Sequence, residues 1–263
     1  MRLLLIGDIV GKGGRRAVVS LAPQLRNELG CGFVAANGEN MAGGGGLNRK
    51  CLTDLCGVVD AVTTGDHVWD QRDFVTEVTE FPTVLRPANL PPVQPGRGWG
   101  VFTGPDGLEV AVISLLGRTF MTPGSDCPFR TADAILAELA GRTRLVLVDI
   151  HAEATSEKTA LARYLDGRVT AVLGTHTHVA TADEQVLPGG TAFQCDVGMV
   201  GARESILGRA IPPVVRRFVT GMPAPFTVVE SGIRLHATWV EADPATGRAT
   251  AIGRVARDWA EPA

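Results

Sequence analysis

Four of the five histidines lie in three short segments: Gly65-Asp66-His67, Asp149-Ile150-His151 and Gly174-Thr175-His176-Thr177-His178. Each segment follows a run of β-forming residues. So do Gly7-Asp8, behind Leu3-Leu4-Leu5-Ile6, and Asn37-Gly38-Glu39-Asn40, behind Phe33-Val34-Ala35-Ala36. The set Asp8, Glu39, Asn40, Asp66, His151, His176 and His178 offers oxygen and nitrogen donors without a thiolate. That donor mixture suits manganese, iron or zinc. Seven ligands are too many for one ion and enough for two, with Glu39 able to bridge them. His176 and His178, two residues apart, would face the same way if a strand continues through them.

These residues converge only if the strands before them share a sheet edge. Strand-like runs cover about 2–7, 32–37, 59–64, 109–115, 144–150 and 169–174, with helix-like segments at 14–29, 48–57, 131–141 and 155–166 between several of them. Such alternation predicts a largely parallel sheet covered by helices, in which ligands bind outside the carboxyl ends of the strands. Pro23 predicts a break or kink in the first helix. Beyond Thr191 the pattern turns antiparallel, with strands at 226–230, 233–241 and 248–256 and a turn at 243–247. Two long loops stand out. Met41 to Leu47 carries four consecutive glycines but lacks the Gly-Lys-Ser/Thr of a phosphate loop, so flexibility beside a metal site is its expected use. Arg86 to Gly100, with four prolines, has the length of a lid or an interface.

At 263 residues, 45% hydrophobic and 20% charged, with no linker, the chain is expected to form one domain over 1–263. A net charge of −3 gives no general attraction to nucleic acid or to an anionic membrane. No stretch approaches the ~20 apolar residues of a membrane span, and a cytoplasmic location is expected. The five cysteines contain no C-x-x-C pair and read as reduced, packing side chains. His236 sits in an alternating run and reads as a structural strand residue. His151-Ala152-Glu153 matches the His-x-Glu of zinc deaminases, but the chain has no Pro-Cys-x-x-Cys, which excludes that class.

The order of these motifs resembles the calcineurin-like metallophosphoesterases. More closely, Asn37-Gly38-Glu39-Asn40, Arg86-Pro87-Ala88-Asn89, Gly117-Arg118-Thr119-Phe120, His151 to Lys158, Gly174 to Val179 and Asp196-Val197-Gly198-Met199 resemble the bacterial YmdB-like branch. The likeness covers essentially the whole chain. It implies an α/β fold, a four-layer αββα sandwich of mixed sheets with helices outside. It also implies a dinuclear metal centre and phosphodiesterase activity, including on 2′,3′-cyclic nucleotides. Carried over by position, Asp8, Glu39, Asn40 and His178 would hold one metal, and Glu39, Asp66, His151 and His176 the other. His67 would be left free as general acid. Two departures from the broader superfamily matter. Its Asp-x-His motif has Val10 in place of histidine, for which Asn40 substitutes, and its Gly-Asn-His motif is Gly65-Asp66-His67, whose carboxylate favours metal retention and opposes an anionic substrate. Arg118 and Asn89 are candidates for holding phosphate and orienting substrate, or for anchoring loops. Asp149 and Glu153, which flank His151, could orient its ring, but acidic residues are common at strand ends and helix starts without that role, and neither is counted in the site. A homo-oligomer is expected from the resemblance and the proline-rich loop. The alternatives are a metal-dependent phosphomonoesterase and a regulatory protein that binds RNA-derived ligands or a partner while retaining the metals.

Overall fold

A computed structural model describes residues 1–122 and 124–260. Its first half runs β1 (Arg2–Ile6), β2 (Asp8–Ile9), α1 (Gly11–Leu29), β3 (Cys31–Asn37), α2 (Arg49–Leu55), β4 (Ala61–Thr63), α3 (Phe74–Glu77), β5 (Val84–Leu85), β6 (Trp99–Thr103) and β7 (Glu109–Leu116). The second half runs α4 (Pro128–Glu138), β8 (Leu145–His151), α5 (Thr155–Tyr164), β9 (Ala171–Thr175), β10 (Gln185–Val186), β11 (Ala192–Gln194), β12 (Met199–Ala202), α6 (Ile211–Thr220), β13 (Ile233–Ala242) and β14 (Ala249–Trp259).

These strands form two mixed sheets. The first has eight strands, in the order β2-β12-β13-β1-β3-β4-β5 with β14 against β13. In it β1, β3, β4 and β5 are parallel, and β13 runs antiparallel to β1. The second has six strands, β10-β11-β9-β8-β7-β6, with β7, β8, β9 and β11 parallel between antiparallel edges. Alternation along the strands explains how both faces of each sheet are covered. In β1, Leu4 and Ile6 pack with Val18, Leu21 and Leu25 of α1, while Leu3 and Leu5 join an apolar cluster shared with Val110, Val112 and Leu147 of the other sheet. Strand β8 divides likewise: Leu145 and Leu147 face the shared cluster, and Val146, Val148 and Ile150 meet Ile135 of α4 and Leu161 of α5.

At Gly7 the chain changes partners. Its amide donates to the His236 carbonyl at 3.1 Å, and the next amide, of Asp8, donates to the Gly198 carbonyl at 3.0 Å. A Cβ at Gly7 would overlap that Gly198 oxygen, so only glycine allows the crossing that delivers Asp8.

Three local expectations are corrected. Helix α1 starts at Gly11 and runs through Pro23 to Leu29 without a break. Pro23 and Val19, whose carbonyl loses its helical partner, both lie on the exposed side, where the freed oxygen is not shut away from solvent. Residues 226–230 form no strand, only an isolated bridge between Arg209 and Val228; the prolines at 223 and 225 remove donors just before it. The stretch 86–100 ends in a strand, β6. Among the described residues no helix is long and apolar enough to cross a membrane.

Candidate metal centre

Asp8 follows β1, Glu39 and Asn40 follow β3, Asp66 follows β4, His151 ends β8, and His176 and His178 follow β9. The carboxyl ends of parallel strands from both sheets thus meet at one place. Glu39, Asp66, His151 and His176 each present a ligand atom within 4.8 Å of the others. His151 Nε2 lies 3.0 Å from Glu39 Oε1, 3.1 Å from Asp66 Oδ1 and 3.0 Å from His176 Nδ1. Beside this group, the Asn40 amide is 2.9 Å from Glu39 Oε1 and 3.4 Å from His178 Nε2. His178 Nε2 in turn lies 4.0 Å from Asp8 Oδ1. A Cβ on Gly65 would overlap Glu39 Oε2 and His151 Cδ2, so a bare backbone is required for the cluster to close.

Charge in the cluster is badly balanced without a cation. Burial pushes the Asp8 carboxyl well above its usual range, and the nearby carboxylates of Asp196, Glu39 and Asp149 add to this, with His151 opposing them. Burial works against protonation of His151, yet Glu39, Asp66 and Asp8 together hold it well above an ordinary imidazole. Glu39 and Asp66 are also buried, which would raise them, but both are held low, Glu39 mainly by His151 and Asp66 by hydrogen bonds from His151 and His176. One imidazolium therefore compensates several carboxylates. A divalent cation exchanged for its proton would place more positive charge at the same point. Asp8 Oδ1, buried and without any hydrogen-bond partner, is the oxygen such an ion would satisfy. Donor chemistry and the orphaned oxygen both fit a metal.

Residues 4–255 match the model of a family described as YmdB-like protein. The chain belongs to the YmdB-like family. It is 44% identical to the 2′,3′-cyclic-nucleotide 2′-phosphodiesterase of Bacillus subtilis over 97% of this chain and 96% of that protein. The crystal structure of a hypothetical protein from Thermus thermophilus is similar at 43% identity and a TM-score of 0.90, covering 98% and 99% of the two chains. A novel phosphatase from Mycoplasma pneumoniae superposes with a TM-score of 0.91 at 30% identity, covering 100% of this chain and 95% of the other.

In this YmdB-like chain the two histidines of the last motif do not converge by strand alternation. Strand β9 stops at Thr175, and His176 and His178 take left-handed backbone conformations, with φ of 101° and 65°. Such strain in non-glycine residues persists only where surrounding contacts over-determine it. Here Asp8 Oδ2 accepts the His176 amide at 3.2 Å, and Asp196 Oδ2 accepts the Thr177 amide at 3.0 Å. The fully buried Lys158 ammonium donates to that same Asp196 oxygen at 2.8 Å and to the Thr175 carbonyl at 2.7 Å. Donor types and spacing do not single out this prop, although Lys158 and Asp196 both fall in the segments that carry the resemblance.

Ring orientation is set from outside the cluster. The Thr175 hydroxyl donates to Asp149 Oδ1 at 2.7 Å, which leaves its oxygen to accept from His151 Nδ1 at 2.8 Å. His151 Nε2 is then free to act as a ligand. Asp149 therefore reaches His151 through Thr175, and Asn37 and Thr63 hold its other oxygen. Glu153, left out of the site on sequence, lies 3.2 Å from His176 Nε2, leaving Nδ1 turned to the cluster. His67 stands at the edge with its side chain 42% exposed and Nδ1 2.8 Å from Asp70 Oδ2. Burial disfavours its charge, but Glu39, Asp66 and Asp70 outweigh this and raise its pKa. Asp70, three residues on, belongs to no motif that the sequence displays.

Other candidates are accounted for by the fold. Asn89 spends its amide on the carbonyls of Leu116 and Asp126, at 2.7 and 2.9 Å, and accepts the Leu116 amide, so it anchors a loop. Arg118 has an exposed side chain, and its backbone amide is held by Glu157. Arg86 binds the carbonyls of Pro87 and Pro95, which folds the proline-rich loop back on itself. The glycine run is tied down rather than loose: Arg209 donates to the carbonyls of Gly43 and Gly44, and Gln71 to that of Gly45.

Proposed function

We propose that this chain is a dinuclear metallophosphodiesterase that hydrolyses 2′,3′-cyclic nucleotides or similar small phosphodiesters. We read it as a single domain, residues 1–263, built as a four-layer αββα sandwich. The observation that carries the proposal is the Glu39-Asp66-His151-His176 cluster, buried at Glu39 and His151, with the orphaned Asp8 oxygen beside it. The named activity of the Bacillus subtilis relative supplies the substrate class. In this reading Asp8, Glu39, Asn40 and His178 hold one ion and Glu39, Asp66, His151 and His176 the other. Iron or manganese suits these donors, and zinc is compatible with them.

When bound, the ions supply a nucleophilic water at neutral pH and neutralise phosphate charge. The chain's own residues do the rest. Thr175 and Glu153 fix which nitrogen of His151 and of His176 faces the centre. Asp70 holds Nδ1 of His67, leaving Nε2 to carry a proton to the departing alkoxide oxygen. General acid catalysis of this kind contributes about 10²–10⁴-fold. Copies of the chain are proposed to associate, on the resemblance and the proline-rich loop, and light scattering checks this.

The test is hydrolysis of 2′,3′-cyclic AMP and of the matching monoester by metal-stripped protein, before and after manganese or iron is restored. Metal-dependent turnover of the diester, reduced about 10²–10⁴-fold in His67→Ala at unchanged metal content, is the expected result. Preference for the monoester, or no turnover with metal bound, would overturn it.

A further inference from the structure

The cleft at the metal centre has a second wall that hydrolysis alone does not require. It encloses about 610 Å³, and Glu39, Asn40, His67 and His176 share its lining with Leu207, Val214, Phe218 and Phe226. Single exposed apolar residues are ordinary on a protein surface, but a group of them at a polar site is not. Phe218 is 83% exposed, Leu207 46% and Phe226 39%. Val214 and Phe218, four residues apart on α6, share a helix face, with the first buried at the base of the cleft wall and the second standing at its rim.

This wall is held in place by contacts that reach the metal centre. Leu207 has a left-handed backbone, with φ of 52°, and its carbonyl lies 3.2 Å from His178 Nδ1. The Arg209 guanidinium donates to the Phe226 carbonyl at 3.1 Å as well as to the glycine loop after β3. Arg217 stacks over the Phe226 ring at 4.9 Å from its centroid. Two aromatic rings, one with a guanidinium over it, thus line the same cleft as the cluster.

Resting on the phosphodiesterase reading, we propose that Phe218 and Phe226, with Arg217, form a stacking platform for the nucleobase of the substrate. In a 2′,3′-cyclic nucleotide the phosphate is fused to the ribose, and the base leaves from the far side of that ring. A phosphate at the metal centre therefore directs the base away from it, into the part of the cleft that the aromatic rings line. The apolar lining residues Leu207, Val214, Phe218 and Phe226 carry no group that reads a base edge, the Arg209 donors are committed to backbone carbonyls, and the Arg217 guanidinium lies over the Phe226 ring. Stacking of this kind accepts every base and favours purines, whose rings are larger.

The experiment compares 2′,3′-cyclic AMP, 2′,3′-cyclic CMP and ethylene phosphate, a five-membered cyclic diester without sugar or base, on the wild type and on a Phe218→Ala/Phe226→Ala variant, both metal-loaded. Fluorescence quenching of etheno-AMP on stacking is measured alongside. Expected are a fall of about tenfold or more in the kcat/KM ratio of cyclic AMP over ethylene phosphate, a smaller fall for cyclic CMP, and loss of quenching. An equal loss on all three substrates, or an unchanged ratio with quenching retained, overturns the platform. So does an unchanged ratio with an oligomer that dissociates on light scattering, which would make the aromatic wall an interface between copies. If the wild type hydrolyses none of the three, the phosphodiesterase reading fails, and quenching that depends on the two phenylalanines decides the platform separately.

Discussion

One wall of the cleft is made from the carboxyl ends of parallel strands; the other, around 205–228, is irregular apart from α6. The first is charged, largely buried and braced from behind, where Asp149, Thr175, Asn37 and Thr63 interlock around His151, while Asp8 Oδ1 is left without a partner. The second is apolar and open, with Phe218 mostly in solvent. Metal ligands must be held to a fraction of an ångström, and strands pinned on both sides by a sheet provide that. A stacking surface needs only a flat face at roughly the right distance, which a helix and a loop can supply. The difference separates the parts that would perform the reaction from those that would choose the substrate.

The sharpest way to break this contrast is Glu39→Gln. Glu39 stands between both proposed ion sites, and partners outside a metal site already cost about 10–100-fold when removed, so turnover should fall by more than about 100-fold with metal content reduced. Elemental analysis and a rate assay check this, and full retention of both would remove Glu39 from the centre. Lys158→Met should act on stability instead of turnover, because it removes the cation that pairs with the buried Asp196 carboxylate. Denaturant unfolding should show a loss of about 3–5 kcal/mol. The Lys158→Met/Asp196→Asn double variant should lose less than the sum of the two single changes, and simple additivity would show that the pair does not act as a unit. Thr175→Val should cost least, about 10–100-fold in metal affinity by chelator competition, because His151 keeps its position but loses the partner that fixes its tautomer. An unchanged affinity would mean that strand ends alone orient the ring.

The meeting of these donors was legible in the chain because each candidate donor follows a β-forming run, and parallel strands deliver their carboxyl ends to one side. Supporting contacts were harder to see. Lys158 and Asp196 are 38 residues apart, and nothing local in either segment announces that a buried ammonium will cap the Thr175 carbonyl. Glu153 is two residues from His151 in the chain, but the fold turns it toward His176. The aromatic wall gave no signal at all, since Phe218 and Phe226 look like ordinary core residues in a run containing prolines.

The sequence by itself determined the donor types, their order and the strand ends on which they ride, since short-range alternation and composition encode those directly. Only the tertiary structure decided which nitrogen of each histidine faces inward, that His176 and His178 meet the cluster through left-handed backbone, and that exposed aromatic residues line the same cleft. Those features depend on contacts between residues distant in the chain, such as Asp8 with the His176 amide and Leu207 with His178. Local pattern carries no information about such pairs, because their geometry exists only after both sheets have packed.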